Sequence, residues 1–341
     1  QEGQFWESLI SAVNFGLHEI TVIVDHNKLQ SDTFVKNVSD LGDLEAKFNV
    51  FGWCVRRCDG HDIGAFSSAL ASMKDEKRPQ IIIADTVKGK GVSFMEHTSL
   101  DSDVAMYRFH SGAPDAHSYR LAAQEIRSRL QQRLSEVSHD DLTYETIKRE
   151  GTLPPPASAQ RLIPAYTLAL LDQAKKHPNL VALDADLVLD TGLIPFREQF
   201  PQRFFECGIA EQDMVSTAGG MALRGLIPVV HSFSCFLSAR PNEQIYNNAT
   251  ERTKIIYVGS LAGVVPGGPG HSHQAVRDIS ALAAIPGLTL MEPSCEAEVE
   301  MLLDWAVNTN KLSSYLRLVS LPCVLPYALP GGYVPEIGKG V

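Results

Sequence analysis

Apolar residues along this chain switch between helical and strand spacing several times. Leu9, Ile10, Val13 and Leu17 recur at three- and four-residue intervals, the stripe of a helix with one buried face. ITVIVD follows as a strand and runs into a polar turn carrying Asn27. DLGDLEAKF has helical spacing, WCVRRC reads as a strand and IGAFSSALASM as a helix. QIIIADTV is a continuous branched-apolar run, the pattern of a strand covered on both faces of a parallel sheet. KGKGVS, with two glycines in four residues, must be a loop.

From about Asp101 to Pro156 the chain is more polar. It holds two helical patterns, SYRLAAQEIRSRLQQRL and LTYETIKRE, and ends in the Pro-rich TLPPPASAQ, which reads as a linker. The rhythm then restarts with a helix (AYTLALLDQAKK), a strand (LVALDA), a helix entered at GIAEQDMVSTAGGMAL and a strand (IPVVHSF). IIYVGSL, HQAVRDISALAAI, LTLMEPS, EAEVEMLLDWAV and YLRLVS continue it, the second of these read as a helix. Two successive βα arrays predict an α/β protein of two doubly wound parallel-sheet domains.

Composition narrows the function classes. At 341 residues, 44% hydrophobic and 21% charged, the chain is long enough for two ordinary cores. A formal net charge of −10 argues against nucleic acid or an anionic membrane as partner. Six cysteines without CxxC pairs or zinc spacing read as thiols of a reducing compartment, which makes a cytoplasmic location the expectation.

Four clusters sit where parallel sheets place function, at strand-to-helix turns. In VDHNKLQ, Asn27 offers a carbonyl that could join backbone carbonyls on a hard cation such as Mg²⁺, or could simply shape the turn. In ECGIAEQDMVSTAGGMAL, Glu211 opens an apolar helix, either as a desolvated carboxyl that holds a proton or as an acid favoured by the helix dipole. Gly219 and Gly220 inside that helix suggest close packing against another backbone. Phe233 and Phe236, three apart in HSFSCFLSARPNEQI, could stack on a flat heterocycle or fill the core. GVVPGGPGHSHQAVRDI is a Gly-rich loop with His271 and His273, open to reading as a phosphate cradle, a histidine pair or a mobile loop.

Together QEGQFWE, VDHNKLQ, DGHD, DTVKGKGVSFME, FHSGAPD, LDADL, FFECGIAEQDMV, FSCFL and HSHQA resemble transketolase, and the resemblance runs through nearly the whole chain. It implies residues 1–98 as the later part of a diphosphate-binding domain and 99–158 as a connecting region. Residues 159–323 would be a pyrimidine-binding domain and 324–341 the approach to a further domain. It also implies a fragment, since the family's Gly-Asp-Gly metal turn lies just upstream of QEG. The implied cofactors are thiamine diphosphate and Mg²⁺. Asn27 and the carbonyl of Leu29 would hold the metal, and Glu211 would protonate the cofactor's aminopyrimidine ring. Phe233, Phe236 and Asp186 would contact that cofactor. Glu2 and Glu7 would link two cofactors across a dimer, and His110 and His273 would move substrate hydroxyl protons. The implied reaction transfers a two-carbon ketol unit between sugars, in a site completed by a second copy of the chain. A deoxyxylulose-phosphate-synthase-like reaction on pyruvate and a catalytically degenerate subunit are the alternatives.

Departures from the resemblance bear on substrate. Leu261 stands where the family has a phosphate-reading histidine, Ser320 near its arginine and Asp190 near its serine. Each removes a favourable contact with an anion. Arg317, His271, Arg240 and Arg277 lie close by in sequence as possible substitutes, and the expectation is a non-phosphorylated or differently anchored substrate.

Overall fold

A computed structural model describes residues 2–102, 105–110, 113–137, 143–145 and 156–339. The chain divides into two units, Gln1–Gly151 and Thr152–Val341.

In the first unit the elements are α1 (Gly3–Asn14), β1 (Thr21–His26), α2 (Val35–Val38), α3 (Leu44–Val50), β2 (Cys54–Asp59), α4 (Ile63–Ser72), β3 (Gln80–Asp85) and α5 (Ala116–Val137). Its three strands are parallel in the order β1-β3-β2. The branched run that predicted a doubly covered strand is the central one. Ile81 and Ile83 face Leu9, Leu44 and Phe48 of α1 and α3, while Ile82 faces Met73 and the Phe66 side of α4. Complete burial of three isoleucines contributes about 1.5–3 kcal/mol each. Trp53 locks α1 to the sheet by donating its indole N–H to the Leu9 carbonyl at 3.0 Å. β1 alternates exposed and half-buried, leaving Ile23 in solvent. Glycine is required at Gly89, where φ is +82° and a Cβ would sit 1.9 Å from the Met95 carbonyl oxygen. The helix expected over LTYETIKRE falls outside the described residues except for 143–145, which form no regular element.

The second unit holds α6 (Leu162–Lys176), β4 (Leu180–Asp184), α7 (Ile194–Gln199), β5 (Phe204–Glu206), α8 (Glu211–Leu223), β6 (Ile227–Phe233), α9 (Ser234–Ala239) and α10 (Asn242–Thr250). β7 (Ile256–Ser260), α11 (Asp278–Leu282), β8 (Thr289–Met291), α12 (Glu296–Asp304) and β9 (Ser314–Arg317) complete it. Six parallel strands run β5-β4-β6-β7-β9-β8. Val181, Leu183, Val230 and Tyr257 pack on one face against α8, α9 and α10 through Met214, Val215, Leu237 and Ile245. On the other face the buried Tyr166 of α6 and His231 of β6 are hydrogen-bonded at 2.7 Å. His231 is a core group, held neutral by burial with its pKa pushed down to about 4.

Two expectations change here. The helix read over HQAVRDISALAAI is confined to α11, because Ala275 donates its N–H to the Gly263 carbonyl at 2.9 Å and so commits that backbone to an extended pairing. What a Cβ at Gly219 would meet first is a side chain, Asn248, while Gly220 faces open space.

Candidate active site

At the carboxyl edge of the second sheet, α8 begins where the chain leaves β5, and its first residue Glu211 is 3% exposed. The surroundings expected to be apolar contain a cation. Arg240 Nη1 lies 2.6 Å from Glu211 Oε1, and its guanidinium carbon lies 4.0 Å from the Phe236 ring centroid. The guanidinium occupies one carboxylate oxygen with a charge-assisted hydrogen bond, so Oε1 can serve another group only if Arg240 moves off it. Phe233 ends β6 and Phe236 lies in α9, with ring centroids 5.8 Å apart. His273 sits edge-on to both, at 5.9 Å from Phe233 and 5.1 Å from Phe236. The structure thus gathers Phe233, Phe236 and His273, with Glu211 joined to them through Arg240. A buried acid one guanidinium away from two aromatic rings offers a flat nitrogen heterocycle a carboxylate and apolar faces.

Asp186 follows β4 with φ +62°, an uncommon conformation that aspartate tolerates better than most residues. Its N–H donates to Glu206 Oε1 at 2.8 Å, which also accepts from Gly208 N at 3.0 Å. Asp184 accepts from Leu187 N at 2.6 Å and Thr191 Oγ1 at 3.0 Å. Burial, then the nearby Glu206, pushes Asp184 far above the ordinary carboxylate range. Burial raises Glu206 to about 7. This acid group was not singled out in the sequence beyond Asp186. Its signal is two acids at a strand end (LDAD) answered by a third in FFEC.

Two departure positions touch each other, since Leu261 N donates to Ser320 Oγ at 2.9 Å. Asp190 lies within electrostatic reach of His273. Arg317 is tied to Asp278 (Nε to Oδ2, 2.7 Å) and to Glu292, so it is spent as an anion anchor.

In the first unit Asn27 and Leu29 share the loop after β1. Asn27 Oδ1 accepts from Leu29 N at 3.0 Å, and its amide donates to Asp25 at 3.3 Å. Asn27 Oδ1 is thus engaged within its own turn, and among the described residues no group of three His, Cys, Asp or Glu could hold a metal ion. Glu2 precedes α1 and Glu7 lies on it, both exposed. His110 is exposed, with Nδ1 accepting from Lys88 Nζ at 3.0 Å. Lys88 also donates to the carbonyls of Gln30 and Ser31, both at 2.7 Å. Two further histidines join this edge. His61 Nε2 accepts from Val87 N at 2.8 Å, and His97 Nδ1 from Lys88 N at 3.0 Å. Burial lowers the pKa of His97, helped by Lys28 and Lys88. Lys88 and these histidines went unassigned in the sequence, though they stand in its motifs DGHD and DTVKGKGVSFMEH. Asp85 at the end of β3 gathers Arg57 (2.6 Å), His26 (2.8 Å) and Lys28.

Residues 159–319 match the family description "Transketolase, pyrimidine binding domain", and residues 1–133 match "Transketolase, thiamine diphosphate binding domain". The 1-deoxy-D-xylulose-5-phosphate synthase of Clostridium acetobutylicum is 31% identical over 252 residues, 74% of this chain and 34% of that protein. Transketolase-like protein 2 of Mus musculus is 30% identical over 314 residues, 91% of this chain and 49% of that protein. The chain therefore spans half or less of the length of these relatives. Among solved structures, a split gene transketolase described as an inactive beta4 tetramer aligns with TM-score 0.46 and 29% identity, over 54% of this chain and 58% of that one. Transketolase from Campylobacter jejuni aligns with TM-score 0.47 and 19% identity, over 95% and 55%. With both descriptions matched in order along the chain, and the buried acid and aromatic pair lying inside the pyrimidine-binding one, the chain belongs to the transketolase family of thiamine-diphosphate-binding proteins.

Proposed function

We propose that the chain carries out transketolase-type transfer of a two-carbon ketol unit from a ketose to an aldehyde. The observation that carries this reading is Glu211, buried and joined through Arg240 to the Phe236 ring that His273 meets edge-on, within the pyrimidine-binding match. Thiamine diphosphate, when bound, supplies the electron sink for the cleaved carbon–carbon bond. Glu211 would hold the ring nitrogen once Arg240 has left it, with Phe233 and Phe236 packing on the ring. His273 is placed to take and return a hydroxyl proton, and His110 in the first unit is proposed for the same task. Asn27 and the Leu29 carbonyl would contribute oxygens to Mg²⁺, and Asp186 would contact the cofactor. Glu2 and Glu7 are proposed to act through a second copy of the chain, the partner that completes the site. A non-standard substrate follows from Leu261, Ser320 and Asp190. The 31% identity to a deoxyxylulose-phosphate synthase favours, as second reading, acyloin formation from pyruvate.

The test is a product analysis with the cofactor and Mg²⁺ present, offering ketoses or pyruvate with aldehyde acceptors. Ketose formation from a ketose donor that falls at least about a hundredfold in Glu211→Gln supports the proposal. Carbon dioxide release from pyruvate with no ketol transfer replaces it by the second reading, and neither product overturns both.

A further inference from the structure

We infer that the cavity beside Phe236 and Arg240 is an oxyanion subsite, built on Arg277 and His271, that anchors the anionic group of a small-molecule substrate. Its assignment to a substrate rests on the function proposed above. The cavity, about 740 Å³, lies wholly in the second unit, and Arg240, His271, Arg277 and Asp278 are its charged or titratable lining groups of interest. It shares Phe236 and Arg240 with the Glu211 cluster, so a molecule reacting there can extend into it.

The charge accounting points to an anion. The one carboxylate in the lining, Asp278, is 2% exposed, and its Oδ2 already accepts from Arg317 Nε at 2.7 Å and Tyr315 Oη at 3.0 Å. Arg317 completes its bonding on Glu292 and the Ala275 carbonyl. Arg240 is held by Glu211 and the Phe236 ring. Among the described residues, the side chains of Arg277 and His271 make no hydrogen bond or ion pair, and both are exposed at the cavity. In a chain of net charge −10, a concave wall carrying an unengaged arginine and histidine and no unspent acid concentrates anions. The arginine fork matches phosphate or carboxylate oxygens in two parallel bonds. Such a subsite compensates for what Leu261 and Ser320 lack, so the substrate is anionic but anchored from a different wall.

Calorimetric titration of the full chain with inorganic phosphate, and separately with acetate, tests this in wild type, Arg277→Ala and the Arg277→Ala, His271→Ala double variant. Saturable phosphate or acetate binding should weaken about tenfold in Arg277→Ala and be lost in the double variant. The anion bound more tightly identifies the group as phosphate or carboxylate. Both side chains are exposed, so the thermal midpoint should hold. Titration with thiamine diphosphate and Mg²⁺ should be the same in all three proteins. Undiminished anion binding in the double variant, binding of neither anion by wild type, or loss of cofactor binding with Arg277 would each overturn the subsite. Anion binding that depends on Arg277 in a chain that binds no cofactor would leave the subsite standing and remove the proposed function instead.

Discussion

The carboxyl edges of the two sheets occupy the same topological place and carry opposite electrostatics. In the first unit Asp85, one-third exposed, is surrounded by Arg57, His26 and Lys28, and the Arg57 hydrogen bond above all holds its carboxyl below the usual range. In the second, Asp184 and Glu206 are pushed upward by burial, and Glu211 is ion-paired with Arg240. The first edge is wet and rich in cations, as suits an anionic diphosphate. The second is dry, as suits a neutral ring. A parallel sheet therefore dictates where a site forms, while the burial of its strand ends decides which half of a cofactor fits.

If the second edge is the rigid one, the helix presenting Glu211 should tolerate little change. A Cβ at Gly219 would lie 2.1 Å from Asn248 Oδ1, on a buried side chain that donates to the Val215 carbonyl at 3.0 Å. Gly219→Ala should cost about 2–4 kcal/mol and lower the thermal midpoint accordingly. Gly220, with nothing within 4 Å, should gain about 0.5–1 kcal/mol on replacement by alanine. Equal effects at the two positions would break the contrast.

The acids sharpen it by the sign of their pH dependence. Glu206 keeps its proton in the folded chain at pH values where the unfolded chain has lost it. Its contribution to stability therefore falls as pH rises from the ordinary glutamate range to about 7. Glu206→Gln, which can still accept from Asp186 N and Gly208 N, should be stabilising by about 1 kcal/mol at pH 8 and near neutral in effect at pH 5. Asp85 has the reverse sign: its contribution is present above the ordinary aspartate range and lost as pH falls below it. Because that cluster is partly solvated, Asp85→Asn should cost only about 0.5 kcal/mol at neutral pH, and less in high salt. Thermal melts of both variants across pH check the signs.

The fold was legible because period and run length carried it. QIIIAD read as a strand covered on both faces and is the middle strand of its sheet, and LVALD read as a strand and lies between β5 and β6. The start of HQAVRDISALAAI was misread because Ala275 is held in an extended pairing by Gly263, a partner outside the stretch that local spacing does not encode. The positions of Glu211 and the two phenylalanines followed from strand-to-helix turns. The Arg240 ion pair did not, since the six residues of α9 and its exit must fold before that guanidinium meets Glu211. For the same reason Arg317 looked available in sequence, although Asp278 and Glu292, distant along the chain, occupy it.

The central claim is that the Glu211 and Phe236 pair receives the cofactor's ring, and the direct measurement is calorimetric titration of thiamine diphosphate with Mg²⁺. Wild type should show saturable binding, weakened about tenfold or more in both Glu211→Gln and Phe236→Ala. Equal affinity in wild type and both variants would contradict the account.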